Sequence, residues 1–296
     1  MTAAFTPAKT GRPARYRLRR VAIEAGSVLL GAVIAVWSLL PVYNMFLIAL
    51  NRYGHDEFSG RLWPARPTLG VFIAVLGEGA GDVRHFWLQF GNSFFIGAMV
   101  TIATVLIASL AAFAISRMRL ARQWTLTGTA LLVYAIPAST LIIPFIRIMQ
   151  IYGLSDSLWA VIAADVTFAT PYAVLVLHYY ANLIPAELDD AARIDGASVA
   201  QVYLRIYLPL MAPALAVVGT YAMLYAWNDY FYQYMLLMSE RHTTVAVALE
   251  QFFDDDDAPY NYMMAIAVLY SLPPIATFYA LRRFIATGLT AGGAKG

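Results

Sequence analysis

The sequence has 296 residues, of which 60% are hydrophobic and only 13% carry a formal charge. A soluble domain averages about 25% charged residues, so this composition and a positive mean hydropathy exclude an ordinary soluble protein and predict a polytopic membrane protein. The net charge of +2 indicates no polyanionic partner such as a nucleic acid, and the absence of cysteine excludes disulfides, thiolate metal sites and cysteine nucleophiles.

Residues 1–20 form a basic tail without an acidic residue. We interpret this tail as a solvated signal for membrane topology rather than as a nucleic-acid surface. The apolar run that follows has no small-residue cleavage site and is too long for a signal peptide, so we expect it to be retained. The basic residues of the tail are Lys9, Arg12, Arg15, Arg17, Arg19 and Arg20.

Six apolar stretches follow the tail, and each is long enough to cross about 30 Å of hydrocarbon as a helix. No internal repeat divides them, so the sequence predicts an all-α polytopic membrane protein with one six-helix domain over residues 21–285. Residues 286–296 form a C-terminal tail. The predicted spans are Ala25–Leu50, Gly91–Ser116, Gln123–Ile146, Leu158–Asn182, Ile206–Met238 and Asn261–Leu281.

The distribution of Lys and Arg over the loops predicts the orientation. With the N-terminus inside, the inner segments hold fourteen of these residues and the outer segments hold six. Since cytoplasmic loops carry the excess of positive charge, we expect both termini to be cytoplasmic. The same count puts the long polar loop of residues 183–209 in the cytoplasm.

The 183–209 loop has the pattern of a short helix, a glycine elbow and a second helix that enters the membrane. Gly196 suits the left-handed residue that ends a helix, and Ser198 with Gln201 has the spacing of a capping box for the next helix. Residue chemistry alone is equally consistent with a plain amphipathic surface helix. Pro185 precedes three acids that the positive end of a helix dipole favours: Glu187, Asp189 and Asp190.

This loop closely resembles the cytoplasmic coupling loop of ABC-importer permeases, which reads Glu-Ala-Ala, three residues, Gly, about nine residues, then Ile-x-Leu-Pro. Here Asp190-Ala191-Ala192 stands for the Glu-Ala-Ala (EAA) motif, Gly196 for the glycine, and Ile206-Tyr207-Leu208-Pro209 for the ending. Aspartate for glutamate at position 190 keeps the charge. In the family the loop docks on an ATPase subunit, and the resemblance implies that role for Glu187, Asp190, Ala191, Ala192, Arg193, Asp195, Gly196, Leu208 and Pro209.

Polar residues inside predicted spans are costly and usually face protein or water. Tyr221, Tyr225, Asn228 and Tyr232 are spaced four, three and four apart, which would put them on one helical face. Aromatic rings with a few hydrogen-bonding groups suit a sugar pathway, and the alternative is an aromatic belt at the membrane interface with a structural asparagine. Trp-Asn-Asp followed by aromatics also resembles the fifth span of carbohydrate-importer permeases. The pathway candidates are Asn92, Tyr221, Tyr225, Trp227, Asn228 and Asp229, while Asp165 and His178 are interpreted as helix anchors or as residues near the membrane interfaces.

The segment Val245–Asp257 ends in four consecutive aspartates. A calcium site would alternate its ligands with spacing residues, so the run indicates a solvated face rather than a metal site. Resemblance to maltose-type permeases implies that this outer loop docks the substrate-binding protein. The glycine-rich residues 288–296 are consistent with a disordered tail, and their resemblance to the tail of maltose-type permeases implies that they lie against the ATPase subunits.

The resemblance covers most of residues 92–296 and implies a type I ABC importer permease fold in a bacterial inner membrane. It implies three kinds of partner: a second, non-identical permease, an ATPase dimer and an extracytoplasmic binding protein. The sequence has no Gly-x4-Gly-Lys-Ser/Thr phosphate loop, so ATP and Mg²⁺ are expected on the partner ATPase, with no enzyme site, cofactor or metal on this chain. The implied substrate is a sugar, an oligosaccharide or a polyol.

Two alternatives are open from the residues. An ion-coupled secondary transporter could use Asp165 and Asp229 as relays, but its inverted internal symmetry is not seen in this sequence. A membrane hydrolase using His178 would need a nucleophile and a base that converge on one site. Four scattered histidines and no cysteine argue against the hydrolase.

Overall fold

The computed structural model describes residues 14–51, 62–64, 66–78, 85–117, 128, 131–252 and 259–293. All regular secondary structure within these ranges is helical, as the composition predicts. In chain order the α-helices are α1 Ala14–Ala49, α2 Gly70–Leu76, α3 Phe86–Arg117, α4 Ile142–Ile151, α5 Leu158–Ala181, α6 Glu187–Ile194, α7 Val199–Val202, α8 Leu208–Asn228, α9 Phe231–Leu236, α10 Val245–Gln251 and α11 Tyr260–Gly293.

Five helical segments in the described ranges are long and apolar enough to cross a membrane. The shortest contain 23 and 24 residues, which at 1.5 Å per residue span roughly 35 Å, more than the hydrocarbon thickness. They correspond to five of the six predicted spans. The segments are Arg20–Ala49, Phe86–Arg117, Leu158–Ala181, Val199–Asn228 and Tyr260–Arg282.

The third predicted span, Gln123–Ile146, is not one continuous helix in its described part. Two 3-10 turns, Leu132–Ala135 and Ala138–Leu141, flank Pro137, and α4 starts only at Ile142. Ile136 has φ −100° and ψ 122° because the residue before a proline is pushed out of the helical region. The apolar helical run Ala138–Ile151 that remains is shorter than a membrane-crossing helix.

Helices α3, α5 and α8 pack against one another and form the centre of the bundle, and α11 packs on α8. Where α3 meets α8, the side chain of Met223 packs directly on Gly97, since a methyl group added at Gly97 would lie 2.8 Å from Sδ of Met223. Small residues at such crossings let membrane helices approach and maximise van der Waals contact. Helix α1 packs on α11, but from residue 20 onward most of its side chains are exposed, and residues 47–49 at its end are buried.

The fifth predicted span, Ile206–Met238, differs from the structure at both ends. The helical segment begins earlier, at Val199, and it passes through a π-helical turn at Tyr203–Tyr207 before α8. Helix α8 ends at Asn228 because Asp229 is extended and its carboxylate accepts the backbone N–H groups of Tyr232 and Gln233 at 3.3 and 3.2 Å. A short acidic side chain that bonds nearby backbone donors starts a new helix rather than continuing the old one.

Candidate functional site

The glycine elbow that the sequence predicts is present at the end of α6. Gly196 has φ +82°, a conformation in which a side chain on an L residue is strained. The N–H of Ala197 donates to the carbonyl of Ala192 at 2.9 Å, and the N–H of Gly196 donates to the carbonyl of Arg193 at 3.0 Å. This pair of bonds is a Schellman motif, so α6 stops at a defined point.

The capping box that follows the elbow is also confirmed. The N–H of Gln201 donates to Oγ of Ser198 at 3.3 Å, and the N–H of Ser198 donates to Oε1 of Gln201 at 2.8 Å. The chain then continues through the π-helical turn, and Pro209 is the second residue of α8. The 183–209 loop is therefore a helix, an elbow and the start of a long apolar helix.

The predicted coupling residues are mostly on the surface of this loop. Ala192 and Leu208 are half-buried, while the acidic and basic members are exposed. Helix α6 also exposes two apolar side chains that the sequence prediction did not include: Leu188, 45% exposed, and Ile194, 87% exposed. Apolar side chains at this exposure, flanked by charges, form a surface suited to a protein partner. The exposed members of the predicted set are Glu187, Asp190, Ala191, Arg193, Asp195, Gly196 and Pro209.

Asp189 differs from its exposed neighbours because it is buried against α3. Its Oδ2 lies 2.9 Å from Nε of Arg117, and the two side chains are only 7% and 6% exposed. Nη2 of Arg117 also donates to the carbonyl of Ile184 at 3.1 Å. The sequence prediction did not find this pair, because nothing local indicates which of the adjacent acids Asp189 and Asp190 turns inward.

A group of tyrosines from α8, α5 and the 3-10 turn Leu132–Ala135 lies near the predicted pathway residues. The rings of Tyr221 and Tyr225 on α8 are 6.0 Å apart, and Tyr221 is 4.5 Å from Tyr172 on α5. The hydroxyl of Tyr134 interacts with Tyr221 and donates to the Phe168 carbonyl at 2.6 Å. We call Tyr134, Tyr172, Tyr221 and Tyr225 the tyrosine group; two members, Tyr134 and Tyr172, were not predicted because they come from other elements.

Helix α8 ends at Asn228, so the predicted pathway residues beyond it do not continue the face of Tyr221 and Tyr225. Asn228 is exposed, and its amide donates to the carbonyl of Leu224 in its own helix at 2.7 Å. The carboxylate of Asp229 accepts backbone N–H groups in the first turn of α9, after α8 has ended. Tyr232 therefore does not lie on the same helical face as Tyr221, contrary to what the spacing predicted. The hydroxyl of Tyr232 instead donates to the carbonyl of Ala138 at 2.7 Å.

Asn92 and Trp227 have their donors committed to backbone carbonyls. Nδ2 of Asn92 donates to the carbonyls of Arg241 and Thr243 at 3.0 and 2.9 Å. Nε1 of Trp227 donates to the carbonyl of Tyr270 at 3.1 Å, with the two rings stacked at 4.6 Å. Their contacts in the structure therefore hold a loop and helix α11.

The loop of residues 239–244, which we call the 239–244 loop, is held by buried polar side chains at the bundle end away from the 183–209 loop. Oγ of Ser93 accepts the N–H of Val245 at 3.1 Å. The hydroxyl of Thr244 donates to Gln233, whose Nε2 donates to the carbonyl of Ala226 at 3.0 Å. Of the predicted docking segment Val245–Asp257, residues 245–252 are described and begin with α10, and the run of aspartates lies outside the described residues.

Asp156 connects the turn before α5 to the beginning of the 239–244 loop. Oδ1 accepts the N–H groups of Met238 and Ser239 at 2.8 and 3.1 Å, and Oδ2 lies 3.3 Å from Nδ1 of His242. Oγ of Ser239 lies 3.2 Å from the same Nδ1. A serine-histidine-aspartate triad uses the two different ring nitrogens, so this arrangement is a structural clamp rather than a hydrolase site.

The contacts of Asp156 predict that the stability of the fold depends on pH in the acid range. Burial raises the pKa of this carboxyl, but hydrogen bonds from Met238, Ser239 and His242 outweigh burial and lower the pKa from 3.8 to about 2. A lowered folded-state pKa stabilises the fold above the unfolded pKa, and this stabilisation is lost as the pH falls through 3.8 toward 2. We expect Asp156→Asn to lower the Tm by a constant amount at higher pH and by a shrinking amount below 3.8. A difference in Tm that is the same throughout that acid range would contradict the assignment.

Comparison with known proteins places the chain among transport proteins. Residues 104–290 match the family model described as "Binding-protein-dependent transport system inner membrane component". The chain is 34% identical to the inner membrane ABC transporter permease protein YcjP of Escherichia coli, over 89% of this chain and 94% of that protein. It is 31% identical to the maltodextrin transport system permease protein MdxG of Bacillus subtilis, over 90% and 93%. The trehalose transport system permease protein SugB of Mycobacterium tuberculosis is 29% identical, over 90% and 96%.

The fold is similar to that of a solved transporter chain. A chain in the crystal structure of a bacterial ABC transporter involved in the import of the acidic polysaccharide alginate superposes with a TM-score of 0.73 at 22% identity. The match covers 94% of this chain and 99% of that chain.

Proposed function

The chain belongs to the family of binding-protein-dependent transport system inner membrane components, and from that membership we propose that it is the permease subunit of an ATP-driven carbohydrate importer. The named sugars of its relatives, maltodextrin and trehalose, support a carbohydrate substrate. The chain would form half of the translocation pathway and transmit the motion of an ATPase to that pathway.

The observation that carries the coupling role is the exposed surface of α6. This short helix presents the carboxylate of Asp190, the small side chain of Ala191 and the apolar side chains of Leu188 and Ile194 outward, and it ends at an exposed glycine. Small residues let a partner backbone come close, and buried apolar area provides most of the free energy of association. An ATPase groove that receives α6 would cover the small residues and the exposed apolar side chains of this helix.

The translocation pathway in this proposal runs beside the tyrosine group. Tyr221 and Tyr225 would stack on the C–H faces of a sugar ring, while Asn228 and Asp229 would meet its hydroxyls. Asn92 and Trp227 would support the pathway without contacting the sugar, since their donors bind backbone carbonyls. Alternating access would follow when ATP binding brings two coupling loops together and turns the pathway outward.

The complete transporter would contain a second, non-identical permease, two ATPase subunits and an extracytoplasmic binding protein. ATP and Mg²⁺ would be bound by the ATPase subunits, since this chain lacks a phosphate loop. We infer a bacterial inner membrane with both termini cytoplasmic, which the distribution of Lys and Arg supports. The 239–244 loop and α10 would then face the binding protein.

The alternative of an ion-coupled secondary transporter is disfavoured. The relatives described above are named as permeases of ABC or transport systems, and the family is defined by its dependence on a binding protein. A secondary transporter needs no ATPase.

Affinity purification of the tagged chain in mild detergent tests the proposed function. We expect a second permease and an ATPase subunit to be identified by mass in the purified complex. Thermal-shift screening of the accompanying binding protein against sugars and polyols would then name the substrate. Isolation of the chain alone, together with uptake driven by an ion gradient, would refute the proposal.

The pathway assignment predicts a change in apparent substrate affinity. Tyr221→Leu keeps an apolar side chain but removes a ring, and we expect the half-saturating substrate concentration to rise about tenfold, equivalent to about 1.4 kcal/mol of lost contact. Transport by the reconstituted complex measures this value. Tyr179→Leu is the control, because Tyr179 is an exposed tyrosine on α5 outside the tyrosine group. Equal saturation curves for wild type and Tyr221→Leu would exclude Tyr221 from the pathway.

A further inference from the structure

The 183–209 loop is attached to α3 at a buried ion pair between Asp189 and Arg117. Nε of Arg117 lies 2.9 Å from Oδ2 of Asp189, and both side chains are almost fully buried. Nη2 of Arg117 also holds the carbonyl of Ile184, in the turn that precedes α6. A single arginine at the end of α3 therefore fixes both the first turn of α6 and the chain leading into it.

A second attachment lies on the other side of the elbow, in the π-helical turn. The hydroxyls of Tyr203 and Ser109 are 2.8 Å apart, and the ring of Phe113 packs edge-on against Tyr203 and Tyr207 at 5.2 and 4.9 Å. Ser109, Phe113 and Arg117 follow one another at intervals of four residues, so they lie along one face of α3. That face contacts the 183–209 loop both before and after Gly196.

The two adjacent acids of α6 have different surroundings. Asp189 is buried with Arg117, whereas Asp190 is exposed. Successive residues of a helix point about 100° apart, so one carboxylate faces the bundle while the next faces a partner. The acid available for docking is thus distinct from the acid that attaches α6 to the bundle.

Helix α3 reaches from this attachment to the opposite end of the bundle without interruption. It has 32 residues, which corresponds to about 48 Å at 1.5 Å per residue. Near its other end Asn92 and Ser93 bind the 239–244 loop and the first residue of α10. One continuous helix therefore contacts the 183–209 loop at one end and the 239–244 loop at the other.

We propose that Arg117 and Asp189 are positioning residues that force α3 to move with the coupling loop, so that α3 carries the motion of the ATPase to the loop facing the binding protein. This inference rests on the proposed function and adds a route to it. Helix α8 is covalently continuous with the coupling loop, but α3 is not. Besides the ion pair, α3 is held to the loop by the bond of Arg117 to the Ile184 carbonyl, by one hydroxyl bond and by apolar packing around Phe113. A buried ion pair tolerates little change in geometry, because separating it leaves a charge without a partner.

Transport per ATP hydrolysed by the purified, reconstituted complex tests this proposal. Asp189→Asn leaves Asp190 and the exposed surface of α6 intact, so we expect the ATPase to assemble and hydrolyse ATP. The number of substrate molecules moved per ATP should fall roughly tenfold, within the usual range of coupling between sites. A role in stability alone would lower the amount of assembled complex and leave its transport per ATP unchanged, and that result would overturn the proposal.

Two further variants guard against misfolding and nonspecific effects. Arg117→Met combined with Asp189→Leu fills a similar volume without leaving a buried charge unpaired, so we expect it to assemble and still to transport few molecules per ATP. A wild-type ratio in this double variant would overturn the proposal. Glu24→Gln breaks the exposed ion pair of Glu24 with Arg20 and is expected to match wild type, since such pairs contribute little.

The outcomes separate this inference from the proposed function. If the wild-type chain couples transport to ATP and Asp189→Asn does so equally well, only the route through α3 is wrong. If the wild-type chain neither binds an ATPase nor transports, the proposed function itself fails.

Discussion

Gly196→Trp is expected to abolish transport and to weaken assembly with the ATPase, while insertion into the membrane stays normal. Gly196 has φ +82°, which strains any L side chain, although the space around it is open. Tryptophan would add a large ring on the exposed side of the elbow, between α6 and the ATPase that we propose binds it. Transport by the reconstituted complex and co-purification of the ATPase measure the two effects.

Gly153→Trp provides a matched control for the backbone strain. Gly153 also has a positive φ, +70°, and a side chain there would likewise meet no atom within 4 Å. It lies in the turn after α4, away from the 183–209 loop, so its substitution should leave ATPase assembly intact. Gly196→Asn separates strain from bulk, since asparagine tolerates the left-handed conformation. If Gly196→Trp assembles and transports normally, the coupling assignment is wrong.

Asn92→Asp is expected to cause the second large loss, at the opposite end of the bundle. The substitution preserves the shape of the side chain but removes the amide that donates to the carbonyls of Arg241 and Thr243. Two backbone acceptors would lose their donor, and a carboxylate oxygen would face them instead. An unsatisfied buried group costs about 1–3 kcal/mol, so we expect a loss of roughly 2–6 kcal/mol of local stability and strongly reduced transport.

Proteolysis of the 239–244 loop in the assembled complex measures the effect at Asn92. Arg241 lies within this loop and offers a cleavage site for trypsin, which should cut the variant much faster than wild type. Asn182→Asp makes the same chemical change at an exposed asparagine beside the 183–209 loop, so loop protection should stay at the wild-type level. Equal rates of cleavage in Asn92→Asp and wild type would show that Asn92 does not hold the loop.

Features that depend on neighbours within four residues of the chain were predictable. The apolar runs identify five of the long helices, because crossing a membrane requires length and hydrophobicity alone. The elbow at Gly196 and the capping box of Ser198 with Gln201 were predicted correctly, since both satisfy the backbone groups at a helix end with local partners. The Asp190-Ala191-Ala192 motif and its spacing were likewise sufficient to identify the family.

Breaks within apolar runs were harder to predict. The residue pattern continues across Ile136-Pro137 and across Asp229, and both positions were assigned to the interior of a span. Proline and aspartate inside membrane segments are tolerated when neighbouring groups satisfy the freed backbone. Whether such a residue kinks a helix or ends it depends on contacts such as that of Tyr232 with Ala138, which the sequence does not contain.

The sequence by itself determined the membrane class, the family and the local form of the 183–209 loop. Only the tertiary structure decided that Asp189 faces Arg117 while Asp190 faces outward, that Tyr134 and Tyr172 join Tyr221, and that Asn92 binds the 239–244 loop. Periodicity and capping are local properties of a helix, and they leave its rotation against other helices undefined. That rotation is set by packing between segments distant in sequence, such as α3 against α5 and α8, and it determines which polar side chains are buried together.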